Sequence, residues 1–186
     1  MSKKVTQVIP VPYLLISFSL IPIFLIANFL PAHASTEMYL RIDNFLEQHL
    51  FGTVGFWSSL FPFSSRLSTS YISLFGPIFA AVSVYLTHAK IVIDPEQYRS
   101  LTLKKYVYAL FVIAVLQAIF VSINYFGDVD LAGHNHKFRL FGVNALMYSI
   151  FASAMLLCYY AITLLGYVVF CYIPRLFIER WRNGVL

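Results

Sequence analysis

YVYALFVIAVLQAIFVSINYFG, residues 106–127, contains no Lys, Arg, Asp or Glu. A helix that crosses the hydrocarbon core of a bilayer needs about 20 mainly apolar residues, so this stretch predicts a transmembrane helix. Residues 5–36, 67–89 and 140–174 are uncharged stretches of the same kind. The chain has 186 residues, of which 60% are hydrophobic and 11% charged. Because a soluble domain carries about 25% charged residues, this composition indicates an integral membrane protein.

The four uncharged stretches together predict the fold. We expect an all-α integral membrane four-helix bundle that forms a single transmembrane domain over residues 1–186, with spans at about 8–30, 68–89, 106–126 and 141–172. The first stretch also has features of a secretory signal, because Lys3 and Lys4 precede an apolar run. The run is far longer than the roughly 7 to 15 apolar residues of a signal, which favours a retained helix.

The distribution of Lys and Arg predicts the orientation of these spans, because basic loops stay on the cytoplasmic side. Nine basic residues fall at the two termini and in the second connection: Lys3, Lys4, Lys90, Arg99, Lys104, Lys105, Arg175, Arg180 and Arg182. Four fall in the first and third connections: Arg41, Arg66, Lys137 and Arg139. We therefore expect both termini in the cytoplasm. The pI of about 9.2 then reflects topology and attraction to anionic membrane lipid, not nucleic-acid binding.

The connections between the spans carry weaker signals. Within Thr36 to Phe51 apolar residues recur at helical spacing, which predicts an amphipathic helix on the outer membrane surface. In the second connection Asp94-Pro95 predicts a turn before a short helix. The uncharged stretch 140–174 exceeds the length of a perpendicular span, so its helix should tilt, extend beyond the lipid, or break near Gly166.

Prolines and small residues mark the helix interiors. Pro22 in the first span and Gly76-Pro77 in the second should bend their helices, either to shape the bundle or to act as hinges. Cys158 and Cys171 are interpreted as small apolar packing residues. Low-profile surfaces for close helix packing are predicted at seven positions: Gly76, Ala80, Ala81, Ser149, Ala152, Ser153 and Gly166.

Few residues suggest chemistry. Gln117 lies near the middle of its span, where an amide should bond to a neighbouring helix or to the helix of a partner protein. The loop GDVDLAGHNHKFRL, residues 127–140, gathers acids, bases and histidines, yet a short loop offers little of the supporting geometry that a metal site needs. Catalytic motifs are absent from the sequence. We therefore expect no enzymatic activity and no cofactor.

Short motifs in several parts of the chain carry a family resemblance. They are SLIP at residues 19–22, GP at 76–77, DLAG at 130–133, RL at 139–140 and Asn144. In these motifs, and in its length and span order, the chain resembles the immunity proteins of pore-forming colicins, in particular the type that protects against the colicin A and colicin B group. It departs from the family in a longer spacing between Gly133 and Arg139 and in the lack of two threonines before Ala132.

The resemblance implies bacteriocin immunity at the bacterial inner membrane. The expected partner is the pore-forming domain of a cognate colicin, recognised through its hydrophobic helical hairpin and held closed, with membrane lipid as the other contact. Lys137 and Arg139 would face an acid of the toxin or a lipid phosphate. The alternative function is a four-helix accessory or transport subunit of a membrane complex. The toxin-contact candidates are Gln117, Ala132, Gly133, Lys137, Arg139, Leu140 and Asn144.

Overall fold

The computed structural model describes residues 10–49, 57–58, 60–88, 90, 101–127, 129–133 and 137–182. Within these ranges the chain is mostly helical. The elements in chain order are α1 (Tyr13–Phe29), α2 (Glu37–His49), β1 (Trp57–Ser58), α3 (Pro62–His88), α4 (Leu103–Tyr125), β2 (Val129–Asp130), α5 (Arg139–Val143), α6 (Ala145–Tyr167), a π-helical segment (Val168–Tyr172) and α7 (Ile173–Arg182). The predicted all-α class agrees with this architecture. The turn predicted at Asp94-Pro95 and the short helix after it lie outside the described residues.

In the described part of the chain, three helices are long and apolar enough to cross a membrane: α3, α4, and the continuous helix from Ala145 to Ile178. The remaining predicted span, 8–30, corresponds to α1, whose 17 residues are at the lower limit of about 17 for a span. Pro12 occupies the N-cap of α1, and with Pro10 two residues before it the helix does not extend further toward the N-terminus. The structure therefore supports three membrane-length helices and one shorter apolar helix.

The core lies where α1, α3 and α6 meet. It is built from large apolar side chains such as Ile23, Ile72, Tyr148 and Leu156, all fully buried. α1 runs antiparallel to α3 and α6, and hydrogen bonds join it to these two helices at its two ends. The Thr87 hydroxyl donates to Pro10 O over 3.2 Å, and the Asn28 amide donates to Ser149 Oγ over 2.8 Å.

Tyrosine hydroxyls stabilise the helices where prolines interrupt them. Pro77 has no N–H, so the carbonyl of Ser73, four residues earlier, loses its usual helical donor. The Tyr125 hydroxyl of α4 donates to that carbonyl over 2.6 Å. Close to Pro22 in α1, the Tyr71 hydroxyl donates to Ser19 O over 2.9 Å. The Tyr125 bond thus satisfies the carbonyl that Pro77 deprives of its donor, as a membrane interior requires, while the Tyr71 bond joins α3 to α1 beside Pro22.

The long last helix is irregular just after Gly166. It widens into the π-helical segment Val168–Tyr172 and then continues as α7 to Arg182. A π segment leaves backbone groups out of the regular bonding pattern, and the Tyr106 hydroxyl at the start of α4 donates to Val169 O over 3.3 Å. The irregularity thus lies beside Gly166, and the helix does not end there.

The described parts of the first and third connections meet at one end of the bundle. Together they form a surface that we call the cap, which consists of α2, β1, β2, the turn at 131–133 and residues 137–144 with α5. The predicted amphipathic helix of the first connection is α2, which buries Leu46 and leaves Met38 and Phe45 exposed; Leu50 and Phe51 lie outside the described residues. Arg66 of α3 binds two carboxylates of α2, Asp43 at 2.9 Å and Glu47 at 3.5 Å. The strands β1 and β2 pair in parallel, with Trp57 opposite Val129. This pairing connects the first and third connections of the chain.

Candidate functional site

The candidate residues predicted from the sequence fall in two separate regions. Six of the seven lie in the cap, between β2 and the start of α6. Gln117 lies on α4, eight residues before the helix ends at Tyr125, which is about 12 Å along the axis at 1.5 Å per residue. The cap and the middle of α4 are therefore distinct candidate sites.

Ala132 and Gly133 form a tight turn after β2. The Asp130 carboxylate accepts a hydrogen bond from Ala132 N over 2.9 Å, and Gly133 N donates to Asp130 O over 3.4 Å. Between them Leu131 is 2% exposed. The DLAG motif thus has a structural role, in which Asp130 closes the turn and Leu131 anchors it in the core.

Gly142 of α5 allows this turn to pack against the following helix. A β-carbon built on Gly142 would lie 2.5 Å from both Ala132 N and the carbonyl carbon of Leu131. Those atoms are backbone and cannot move aside without displacing the turn. Gly142 O also accepts a hydrogen bond from Leu60 N over 3.0 Å. A glycine that the sequence analysis did not single out therefore fixes the geometry of the cap.

Asn144 caps the N-terminus of α6. Its side-chain oxygen accepts a hydrogen bond from Met147 N over 3.1 Å, the standard arrangement for an N-cap asparagine. Its backbone is extended, with φ −128° and ψ 123°, so α5 ends and α6 begins around this residue. The local structure explains why an asparagine occurs here, although its side chain remains exposed.

Lys137, Arg139 and Leu140 form the accessible surface of the cap. All three are exposed, and so is Phe138 beside them. Within the described ranges, neither cation forms an ion pair. This surface combines positive charge with apolar side chains, so it could contact an acidic group or a lipid headgroup.

Gln117 lines a cleft of about 340 Å³ between α3, α4 and α6. The residues around this α4 cleft are uncharged: Pro77, Gln117, Phe120, Val121, Tyr125, Tyr159, Ile162 and Thr163. The Gln117 amide rests on Gly166, where an added β-carbon would lie 2.6 Å from Gln117 Nε2. Gln117 thus contacts the neighbouring helix by packing and not through the hydrogen bond that the sequence predicted. Its amide forms no hydrogen bond with any residue that the structure describes.

Tyr159 forms the inner wall of the α4 cleft. Its ring meets Phe120 edge to face, with centroids 4.7 Å apart, and lies over Gly76, where a β-carbon would come within 2.8 Å of the ring. Tyr159 is only 6% exposed. Its hydroxyl lies beside that of Tyr125, whose own proton is donated to Ser73 O over 2.6 Å.

Sequence reasoning identified Gln117 and Pro77 but missed Tyr159. No spacing in α6 distinguishes Tyr159 from the adjacent Tyr160, whose hydroxyl donates to Ser19 Oγ over 2.8 Å. The difference between the two tyrosines depends on which neighbouring helix each one meets. The single available signal was the position of Tyr159 in an apolar span, where any hydroxyl needs a partner.

The small residues predicted as low-profile surfaces are mostly used inside the chain. Six of the seven are buried: Gly76, Ala80, Ser149, Ala152, Ser153 and Gly166. Ala81 is exposed.

The two cysteines, interpreted as packing residues, are instead exposed on the outer faces of their helices, because apolar surface in a membrane can face lipid as well as the core.

Among the described residues there is no group of three or more His, Cys, Asp or Glu side chains able to hold a metal. Asp128, His134 and His136 of the loop lie outside the described residues.

The fold and its apolar helices define a membrane-embedded helical protein as the general class. The chain matches no protein-family model, no curated protein and no solved structure.

Proposed function

We propose that this chain is a bacteriocin immunity protein that binds the pore-forming domain of a colicin within the bacterial inner membrane. In this proposal it spans the membrane with both termini in the cytoplasm and diffuses laterally until it meets the inserted toxin. It then packs against the toxin's hydrophobic helical hairpin and prevents the channel from opening under the membrane potential. The motifs at residues 19–22, 76–77, 130–133 and 139–140 are the source of the proposal.

The packing of α4 is the observation that supports lateral association most directly. Within an apolar stretch of 18 residues in each long helix, 6% of the stretch is buried in α4, against 39% in α3 and 33% in the helix that begins at Ala145. Helices associate in lipid through close packing and side-chain hydrogen bonds. A span that the described part of its own chain barely covers, with a Gln117 amide that bonds to no described residue, is suited to bind another helix.

The exposed surface of the cap supports the same proposal. On the predicted topology this end of the bundle faces the periplasm, the side from which a toxin inserts. Lys137 and Arg139 are exposed there beside Leu140. Complementary charge at such a surface raises the rate of encounter and improves discrimination between related partners.

Colicin protection in living cells tests the proposal. The chain is expressed in sensitive bacteria, which are challenged with a panel of pore-forming colicins and with a nuclease colicin. We expect survival against at least one pore-forming toxin and full killing by the nuclease toxin. Killing by every pore-forming toxin, at verified membrane expression, contradicts the proposal. Protection against the nuclease toxin also contradicts it, because that result indicates a block in toxin uptake.

Two charge variants test whether the exposed cations of the cap contribute to protection. The double variant Lys137→Ala, Arg139→Ala should lower the toxin dose that the cells survive. The matched variant Lys90→Ala removes an exposed charge at the opposite end of the bundle and should keep full protection. Stable copurification of the chain with an endogenous membrane complex in the absence of any toxin would favour the accessory or transport subunit instead.

A further inference from the structure

The α4 helix is attached to the rest of the bundle near its two ends. Near its start the Tyr106 hydroxyl donates to Val169 O over 3.3 Å. At its other end the Tyr125 hydroxyl donates to Ser73 O over 2.6 Å. Between these two attachments lies the α4 cleft of about 340 Å³. The helix is therefore held at its ends, and space remains along its middle.

The α4 cleft contains a polar group that lacks a hydrogen-bond partner among the described residues. The Gln117 amide, which offers both donors and an acceptor, forms no hydrogen bond to any of them. The buried Tyr159 hydroxyl lies at the same cleft, next to the hydroxyl of Tyr125. An unsatisfied polar group in hydrocarbon costs several kcal/mol, and lipid acyl chains cannot form hydrogen bonds. Lipid alone is thus a poor occupant of this cleft.

From this we infer that the α4 cleft is the docking site for one transmembrane helix of another protein, which brings an Asn, Gln, Ser or Thr side chain to the depth of Gln117. The occupant must be a helix, because backbone in lipid has to satisfy its own hydrogen bonds. It must carry a side chain that both donates and accepts, to match the amide of Gln117. A charged side chain is excluded by its cost within the bilayer, since none of the described residues that line the cleft is charged.

The shape of the site agrees with this occupant. Gly166 keeps the floor beneath Gln117 low, since any side chain there would meet the amide. Gly76 has the same effect beneath the ring of Tyr159. Backbones that approach closely across small residues are typical of helix pairs in membranes. The inference rests on the proposed function, in which α4 binds another helix, and deepens it by specifying the chemistry of that helix. The peptide assay below uses no toxin, so it can fail while protection of cells succeeds, and the reverse.

Binding of two synthetic peptides tests the inference. One is a labelled Leu-rich transmembrane peptide with a single central Asn, and the other has Leu at that position. The labelled full chain and each peptide are reconstituted in phosphatidylcholine vesicles, and energy transfer is measured as a function of peptide content. We expect the Asn peptide to bind about 3- to 30-fold more tightly, as side-chain hydrogen bonds in membranes of about 0.6 to 2 kcal/mol imply.

Two variants of the chain test whether the preference for the Asn peptide depends on the α4 cleft. Gln117→Leu should remove most of the preference for the Asn peptide. The matched variant Ser122→Ala changes a polar side chain on the exposed face of the same helix and should keep the preference. Equal binding of both peptides to the unchanged chain overturns the inference. So does a preference that survives Gln117→Leu, or energy transfer between two copies of the chain that excludes both peptides.

Discussion

Replacement of Tyr125 by Phe tests whether a tyrosine hydroxyl compensates for the proline in α3. The change removes one oxygen and leaves the ring. Ser73 O, already deprived of a helical donor by Pro77, would then lose the 2.6 Å hydrogen bond from Tyr125. A carbonyl left unsatisfied costs about 1–3 kcal/mol, whereas hydrogen bonds measured in membrane proteins average about 0.6 and reach about 1.7 kcal/mol. We expect Tyr125→Phe to lower the free energy of unfolding by about 1–2 kcal/mol.

The assay is reversible unfolding in mixed micelles, in which helix content is followed as denaturing detergent replaces the mild detergent. A double-mutant cycle separates the hydrogen bond from other effects of the missing oxygen. In a Pro77→Ala background, the introduced alanine supplies the N–H that Ser73 O lacks, so the cost of Tyr125→Phe should fall well below its value in the presence of Pro77. Tyr108→Phe is the matched control, because Tyr108 is 70% exposed on the same helix and should change stability little.

The comparison between the two backgrounds decides the outcome. An equal loss of stability from Tyr125→Phe in the presence of Pro77 and in the Pro77→Ala background would refute the reasoning, since the hydroxyl would then stabilise the protein independently of the proline. A large effect of Tyr108→Phe would show that the assay responds to any missing tyrosine oxygen and would remove the basis of the comparison.

Three further predictions concern the cap. Gly142→Ala should lower the free energy of unfolding by about 1–3 kcal/mol through overpacking. Gly133→Ala should cost far less, because its β-carbon would first meet an atom at 3.4 Å. Thermal unfolding of both variants provides the test, and equal losses of stability would contradict the prediction. Asn144→Ala should cost about 1 kcal/mol as an N-cap is lost, and Asn144→Asp should restore most of it in the same assay. Arg66→Gln should expose α2 to limited proteolysis while costing less than about 1 kcal/mol. Arg41→Gln, which breaks a fully solvated pair, should leave the digestion rate unchanged.

The sequence predicted most accurately the helices whose boundaries depend on composition alone. The predicted span 106–126 differs from α4, Leu103–Tyr125, by a few residues, because an uninterrupted apolar run allows little else in lipid. The helix predicted to start at 68 in fact begins earlier, since α3 starts at Pro62. The prediction excluded Arg66 as a charged residue, yet a cation can lie within a helix near the membrane boundary when carboxylates such as Asp43 pair with it.

The candidate site was less accessible to prediction, because it depends on which helices meet. Gln117 was identified as an amide in an apolar span, which is a signal that the sequence alone contains. The partner surface formed by Tyr159 and Gly166 appears only when α4 and α6 are side by side. In the cap, the motif residues Leu131 and Asn144 were interpreted through a family resemblance, whereas their burial and capping depend on the turn that they stabilise.

The two tyrosine attachments of α4 also determine how this helix can move. Tyr106 and Tyr125 are 19 residues apart, so their attachments are separated by about 28 Å along the axis. Two point contacts on a rod fix its height and tilt, and sliding would break both hydrogen bonds together. Rolling about the line between the contacts breaks neither of them. Rotation about this line is therefore the movement of α4 that both hydrogen bonds permit, and the edge-to-face contact of Phe120 with Tyr159 is what opposes it.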